Sequence, residues 1–171
     1  MDNPKKKFGE IYDCYVEKIY RFISLKVGSS EIAEDLASET FLRSWKAFEK
    51  DSDSIENPQA FLYQVARNLL ADFYRDKKNM PSISAERVQI EDPRPSIEEK
   101  AKLDSDMGVI RQALFTLKDD YQNVVIWHYL DDLPIQEVAK LLGKSEKTTR
   151  VTLHRALKSL KTQLKQKTHL I

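Results

Sequence analysis

The sequence predicts an all-α protein of two small helical domains joined by a flexible linker, with a helix-turn-helix in the C-terminal domain. Three observations carry this expectation. Apolar residues recur every three or four positions through most of the chain, the spacing of amphipathic helices. Charged residues make up 32% of the 171 residues while only 4 are Gly, a balance that suits solvated helices better than sheets with tight turns. Between residues 79 and 99 the periodicity lapses, Pro81, Pro93 and Pro95 appear, and 5 acidic residues face 2 basic ones, which marks an acidic interdomain linker.

In chain order, Phe8, Ile11, Tyr12, Tyr15, Ile19, Phe22 and Ile23 predict a first helix over 8–27, stopped by Gly28 and Ser29. Ser30 is positioned to cap a second helix, with Glu31, Glu34 and Asp35 in its first turns and a core side of Ile32, Leu36, Trp45 and Phe48. Asp51 to Asn57 is a polar loop, and Pro58 opens a third helix to about Lys78. On that helix Leu62, Val65, Ala66, Leu69 and Phe73 share one face, and Tyr63, Arg67, Tyr74 and Lys78 share another. Aromatic rings interleaved with cations suit unpaired bases, which stack on the rings while the cations meet phosphates. The same tyrosines can equally cover the domain core with wet hydroxyls. Beyond the linker, Leu103, Ile110, Leu114 and Leu117 predict one helix, and Val124, Val125, Trp127, Tyr129 and Leu130 another.

The stretch PIQEVAKLLGKSEKTTRVTLHRALKSL, from Pro134 to Leu160, holds two helical patterns on a minimal turn. Ile135, Val138, Ala139 and Leu142 pattern the first, Gly143 ends it in the left-handed conformation, and Ser145 caps the second with Glu146 at its positive end. Small Ala139 allows the close helix approach of a helix-turn-helix. On the second helix Thr149, Leu153, Ala156, Leu160 and Leu164 form a packing side opposite Lys147, Val151, His154, Lys158, Lys161 and Lys165. A DNA-reading pair and an ordinary helical hairpin with a solvated lysine face both fit this pattern.

Net charge is only +1, so composition alone does not point to nucleic acid. Its distribution does. From Lys144 onward there are 8 basic residues and only Glu146 acidic, an electrostatic footprint for phosphate. The single Cys14 excludes an internal disulfide and reads as a core residue. His128, His154 and His169 are too scattered for a metal or catalytic set, so no metal and no cofactor is expected. The start MDNPKKKF has no apolar stretch after its lysines and no run approaches a membrane span, so the chain is expected to be soluble and cytoplasmic. A small nuclease would need clustered carboxylates, and the pairs Asp119-Asp120 and Asp131-Asp132 read more simply as solvated turns.

Three segments together resemble the extracytoplasmic-function sigma factors, promoter-recognition subunits of bacterial RNA polymerase. AEDLASETFLRSWKAF (Ala33 to Phe48) is similar to the family's clamp-docking segment, and PQAFLYQVARNLLADFYRDKK (Pro58 to Lys78) to its promoter-melting and minus-10 reading helix. The stretch from Ala113 to Leu160 resembles its minus-35 reading domain. The resemblance covers nearly the whole chain and divides it into 1–78 (clamp docking, minus-10 recognition and melting), 79–99 (linker) and 100–171 (minus-35 recognition). It implies a non-catalytic initiation factor whose partners are the polymerase core, through its clamp helices and flap, promoter DNA as duplex and as melted strand, and an anti-sigma protein.

Residues matching the motifs become candidates. For polymerase they are Glu34, Asp35, Ser38, Glu39, Leu42 and Arg43, an acidic and partly apolar surface fit for a basic coiled coil. For the minus-10 element they are Asp51, Ser52, Asp53, Asn57, Tyr63, Arg67, Asn68, Tyr74, Arg75 and Lys78. For the minus-35 duplex they are Lys144, Ser145, Lys147, Thr148, Arg150, Val151, Thr152, His154, Arg155 and Lys158. The chain departs from the family pattern at Thr149, Val151 and Thr152, where an apolar residue and a serine-arginine pair are usual, and at Ala37-Ser38. An arginine missing from a groove-facing position removes a bidentate guanine contact, and Val151 can meet a thymine methyl instead. The alternative reading is a free-standing helix-turn-helix regulator that binds a palindrome as a dimer without polymerase.

Overall fold

The computed structural model describes residues 3–79 and 106–169, with side chains over 3–77 and 108–166. The expected linker beyond Asn79, together with Leu103, lies outside the described residues. Contact between residues divides the chain into two compact units, Met1–Asp92 and Pro93–Ile171. Every described element is helical.

The first unit contains α1 (Pro4–Val27), α2 (Ser30–Lys50) and α3 (Pro58–Asn79). Asn3 caps α1, its Oδ1 accepting the Lys5 N–H at 3.1 Å, and Pro4 occupies the first turn, where its missing N–H costs nothing. Gly28, at φ 69°, ends the helix in the left-handed conformation and donates its N–H to the Ser24 carbonyl. Ser29, not Ser30, caps α2: its hydroxyl accepts the Ile32 N–H at 3.4 Å, and Ser30 is already the first helical residue.

The buried side of α2 also differs from the expected one. Ala33, Ala37, Thr40, Phe41, Ser44 and Phe48 are buried, whereas Ile32, Leu36 and Trp45 are only half-buried. Small residues let the backbones approach, so the seam runs through them and the larger side chains straddle its edge. Thr40 and Ser44 donate to the Leu36 and Thr40 carbonyls, both at 2.7 Å, which removes the cost of burying their hydroxyls. At one end of the seam aromatic rings meet: Phe8 lies 5.3 Å from Trp45 and Tyr12 lies 4.8 Å from Phe41. Cys14 is exposed rather than in the core, since α1 turns Ile19, Phe22 and Ile23 inward.

The second unit contains α4 (Asp106–Phe115), α5 (Asp119–Val124), a π-helical turn (Val125–Leu130), α6 (Ile135–Leu142) and α7 (Glu146–His169). Leu117, just past α4, still reaches the core. The π turn is closed by the Asp131 N–H donating to the Ile126 carbonyl, five residues back, at 2.9 Å. This extra residue per turn changes the phase of the helix. Val124 to Trp127 are all buried, while Tyr129 and Leu130, apolar residues of the same predicted helix, are 64% and 39% exposed. His128 has a structural role, with Nδ1 at 2.8 Å from the Leu133 carbonyl oxygen.

Candidate nucleic-acid interface

The α6–α7 pair is built as its sequence dictates. Ile135, Val138 and Ala139 are buried, and Gly143 (φ 66°) leaves the helix in the left-handed region with its N–H bonded to the Lys140 carbonyl. The Lys144 N–H reaches back to the Ala139 carbonyl at 3.0 Å, which closes the turn. Ser145 then caps α7, its hydroxyl oxygen accepting the Thr148 N–H at 3.1 Å. Only Gly143, Lys144 and Ser145 separate the helices, so α7 has little freedom to rotate.

Along α7, Thr149, Thr152 and Ala156 are buried and hold the helix to its unit. Lys147, Thr148, Arg150, Val151, His154, Arg155 and Lys158 are exposed, and Lys161 and Lys165 extend the basic surface. Thr152 corrects the candidate set. Its hydroxyl donates to the Thr148 carbonyl at 2.9 Å and it faces the interior, so it offers nothing to a base edge. Thr149 is likewise anchored, donating to the Ser145 carbonyl at 2.8 Å. Val151, 43% exposed between two arginine-bearing turns, remains available for apolar contact. Two of the cations have intramolecular partners: Arg150 lies 3.5 Å from Glu146, and Lys144 lies 2.9 Å from Asp120 of α5.

In the first unit, Glu34, Asp35, Ser38, Leu42 and Arg43 lie on the outer side of α2, with Glu39 half-buried beside them. Leu42 is 48% exposed among charges, and Arg43 donates to Glu39 at 2.9 Å. Asp51, Asp53 and Ser52 lie in the loop, where residues 52–54 form a short 3₁₀ turn. Asn57 serves as the α3 cap, its Oδ1 accepting the Ala60 N–H at 3.0 Å, so that oxygen is already occupied.

On α3 the two tyrosines part company. Tyr63 is fully buried with its ring edge-on to Phe22 at 5.5 Å, so it is a core residue and not a stacking platform. The separation in angle from Leu62 and Leu69 suggested a second, wet face; in the structure α1 covers it. Tyr74 is 40% exposed; it donates its hydroxyl to the Lys26 carbonyl at the end of α1, and its ring meets Phe73 edge-on at 5.4 Å. Arg67 is half-buried, Asn68 and Arg75 are exposed, and Arg75 pairs with Asp72 at 2.7 Å. The Lys78 side chain lies outside the described residues.

Among the described residues no group of three His, Cys, Asp or Glu is placed to hold a metal, and no helix is long and apolar enough to cross a membrane.

Comparison with known proteins gives this geometry its family. Sigma-70 region 2 matches residues 11–80 and Sigma-70, region 4 matches residues 107–160. The SigM protein of Bacillus subtilis, an ECF RNA polymerase sigma factor, is 30% identical over 158 residues, spanning 89% of this chain and 91% of that protein. The chain belongs to the ECF sigma factors. Another sigma factor, BldN of Streptomyces coelicolor, is 29% identical over 154 residues, which are 90% of this chain but 58% of BldN. The fold is shared with the sigma factor RpoE of Bartonella quintana, solved with the anti-sigma factor NepR, at a TM-score of 0.68 and 21% identity over 94% of this chain and 98% of that one. As an ECF sigma factor the chain is a transcription initiation factor, and its two region matches fall on the two structural units.

Proposed function

We propose that this sigma factor brings core RNA polymerase to promoters with its α2 surface and reads them with two separate units, α3 and the 51–57 loop at the minus-10 element and α7 at the minus-35 element. The observation that carries this reading is the capped, three-residue-linked α6–α7 pair, whose buried Thr149, Thr152 and Ala156 turn Lys147, Arg150, Val151, His154 and Arg155 outward together. A helix presented this way can enter the major groove N-terminus first, with base edges in reach of its first two turns and phosphates flanking it. The two readers need only modest affinity each, because attachment to polymerase raises the effective concentration of the second once the first has bound.

Glu34, Asp35, Ser38, Glu39, Leu42 and Arg43 supply the polymerase contact: Leu42 is the apolar anchor and the acids are the rim complementary to a basic coiled coil. The region 4 unit is the partner for the polymerase flap. The chain does no chemistry of its own and works in the cytoplasm with polymerase; an anti-sigma protein is its regulator, as for the RpoE relative solved with NepR. Added to core polymerase, the purified chain is expected to start transcription at promoters located by mapping transcript starts after its overexpression. Stable polymerase binding without initiation at any of them overturns the reading, and a dimer that shifts a palindromic duplex without polymerase favours a free-standing regulator.

Tyr74 tests the melting surface separately. Tyr74→Phe keeps the partly exposed aromatic ring and is expected to open promoters nearly as wild type, while Tyr74→Ala keeps polymerase binding but weakens permanganate reactivity of the melted bubble. Stacking one base on an aromatic ring is worth about 1 to 3 kcal/mol, so the loss in opening is about 5-fold or more. Normal footprints for Tyr74→Ala exclude the stacking role.

A further inference from the structure

Lys144 sits in the turn that leads into α7, where a cation meets the phosphates beside the groove. Its ammonium is already engaged. Nζ lies 2.9 Å from Oδ2 of Asp120, 24 residues earlier in the first turn of α5, with the two side chains 36% and 40% exposed. Other ion pairs in this unit, Lys140–Glu137 and Arg150–Glu146, run along one helix at 3.5 Å and travel with it. The Asp120 pair is shorter and joins two elements. Its neighbour Asp119 has a different task, accepting the Asn123 amide at 3.2 Å.

We propose that Asp120 is an affinity-setting residue for the minus-35 surface: its carboxylate stands in for a DNA phosphate on Lys144 and holds duplex binding below what the basic helix alone would reach. This rests on the reading of α7 as the duplex-binding helix. A phosphate that takes Lys144 must displace the carboxylate, so one ion pair is exchanged for another and little counterion release is gained. The displaced carboxylate then faces the polyanion and repels it. Lys144 therefore contributes less than its position suggests, and Asp120 contributes negatively. The consequence is a factor that stays off DNA when alone and binds when polymerase supplies the second attachment.

The test uses the full chain and a fluorescein-labelled mixed-sequence duplex two helical turns long, followed by anisotropy across a salt series, because the effect is directed at phosphate and not at bases. Asp120→Asn is expected to tighten binding about 3-fold to 10-fold and to steepen the log–log salt slope by about one ion. In the Lys144→Ala background that gain shrinks to the part due to relieved repulsion. Lys144→Ala alone weakens binding less than Lys147→Ala does, a comparison that stands even if Asp120→Asn melts early. Unchanged or weaker binding by a stably folded Asp120→Asn, a gain undiminished in Lys144→Ala, or a Lys144→Ala loss as large as that of Lys147→Ala overturns the proposal. Lys158→Ala separates the two levels: if it binds the duplex as wild type, the α7 reading fails; if it weakens binding while Asp120→Asn changes nothing, only the role of Asp120 fails.

Discussion

Tyr63→Ala is expected to unfold the N-terminal unit rather than to impair promoter opening alone. The side chain is fully buried, with its ring edge-on to Phe22. Removing a buried aromatic ring costs about 3 to 5 kcal/mol through lost transfer energy and the cavity left behind. A domain of this size holds only about 5 to 15 kcal/mol in total. Each kcal/mol moves the melting temperature of a unit this small by about 4 to 8 °C, so a loss of at least 12 °C or so is expected in the melting transition of the N-terminal unit. Polymerase binding should fail together with opening at temperatures where Tyr74→Ala fails in opening only. A melting curve within a few degrees of wild type contradicts the buried placement.

The second large effect is expected at the arginines of α7. Arg150→Ala and Arg155→Ala should each weaken binding to a mapped minus-35 duplex by about 1 to 3 kcal/mol if the side chain reads a base, and the preference at that base should relax with it. Arg150 must leave Glu146, 3.5 Å away, to make such a contact. That exchange is inexpensive, since an exposed pair along a helix contributes only about 0.3 to 0.5 kcal/mol. Lys158→Ala, a phosphate contact more than three turns into the helix, is expected instead to weaken all sequences alike and to reduce the salt slope by about one ion. Competition between the promoter duplex and versions with single base changes distinguishes these outcomes, and unchanged binding for both arginine variants removes α7 from the groove.

The parts of the fold readable from sequence are those that depend on local chemistry. Pro58, Gly28, Gly143 and Ser145 mark helix ends because their conformational or capping properties act within a few residues, and the ends of α1, α3 and α6 fall where these residues put them. Faces were harder to place. Periodicity gives the angle of Tyr63 around its helix but not how wide a sector its neighbours cover; α1 reaches around to Tyr63 through Phe22. The seam of α2 is hidden in the sequence for a related reason: large apolar residues stand out in a periodic pattern, yet Ala33, Ala37, Thr40 and Ser44 are what close helix approach requires. On α7, family analogy groups Thr152 with the groove residues, but it is buried and donates to the Thr148 carbonyl. Asp120 carried no sequence signal toward Lys144, because nothing in a linear pattern relates residues 24 apart across a turn of unknown geometry.

The π turn at Val125–Leu130 bears on how this chain is compared with others. A π turn is a helix that has accommodated one more residue than its α-helical equivalent, so a relative whose helix is regular there has one position fewer. An alignment that omits the gap stays in apparent register through the apolar run of Val124 to Trp127, where neighbouring positions are interchangeable, and then carries a one-residue error into α6 and α7. On a helix that error is about 100°. It would transfer the properties of Arg150 to buried Thr149 and those of Thr152 to exposed Val151, turning a groove contact into an anchor and an anchor into a groove contact.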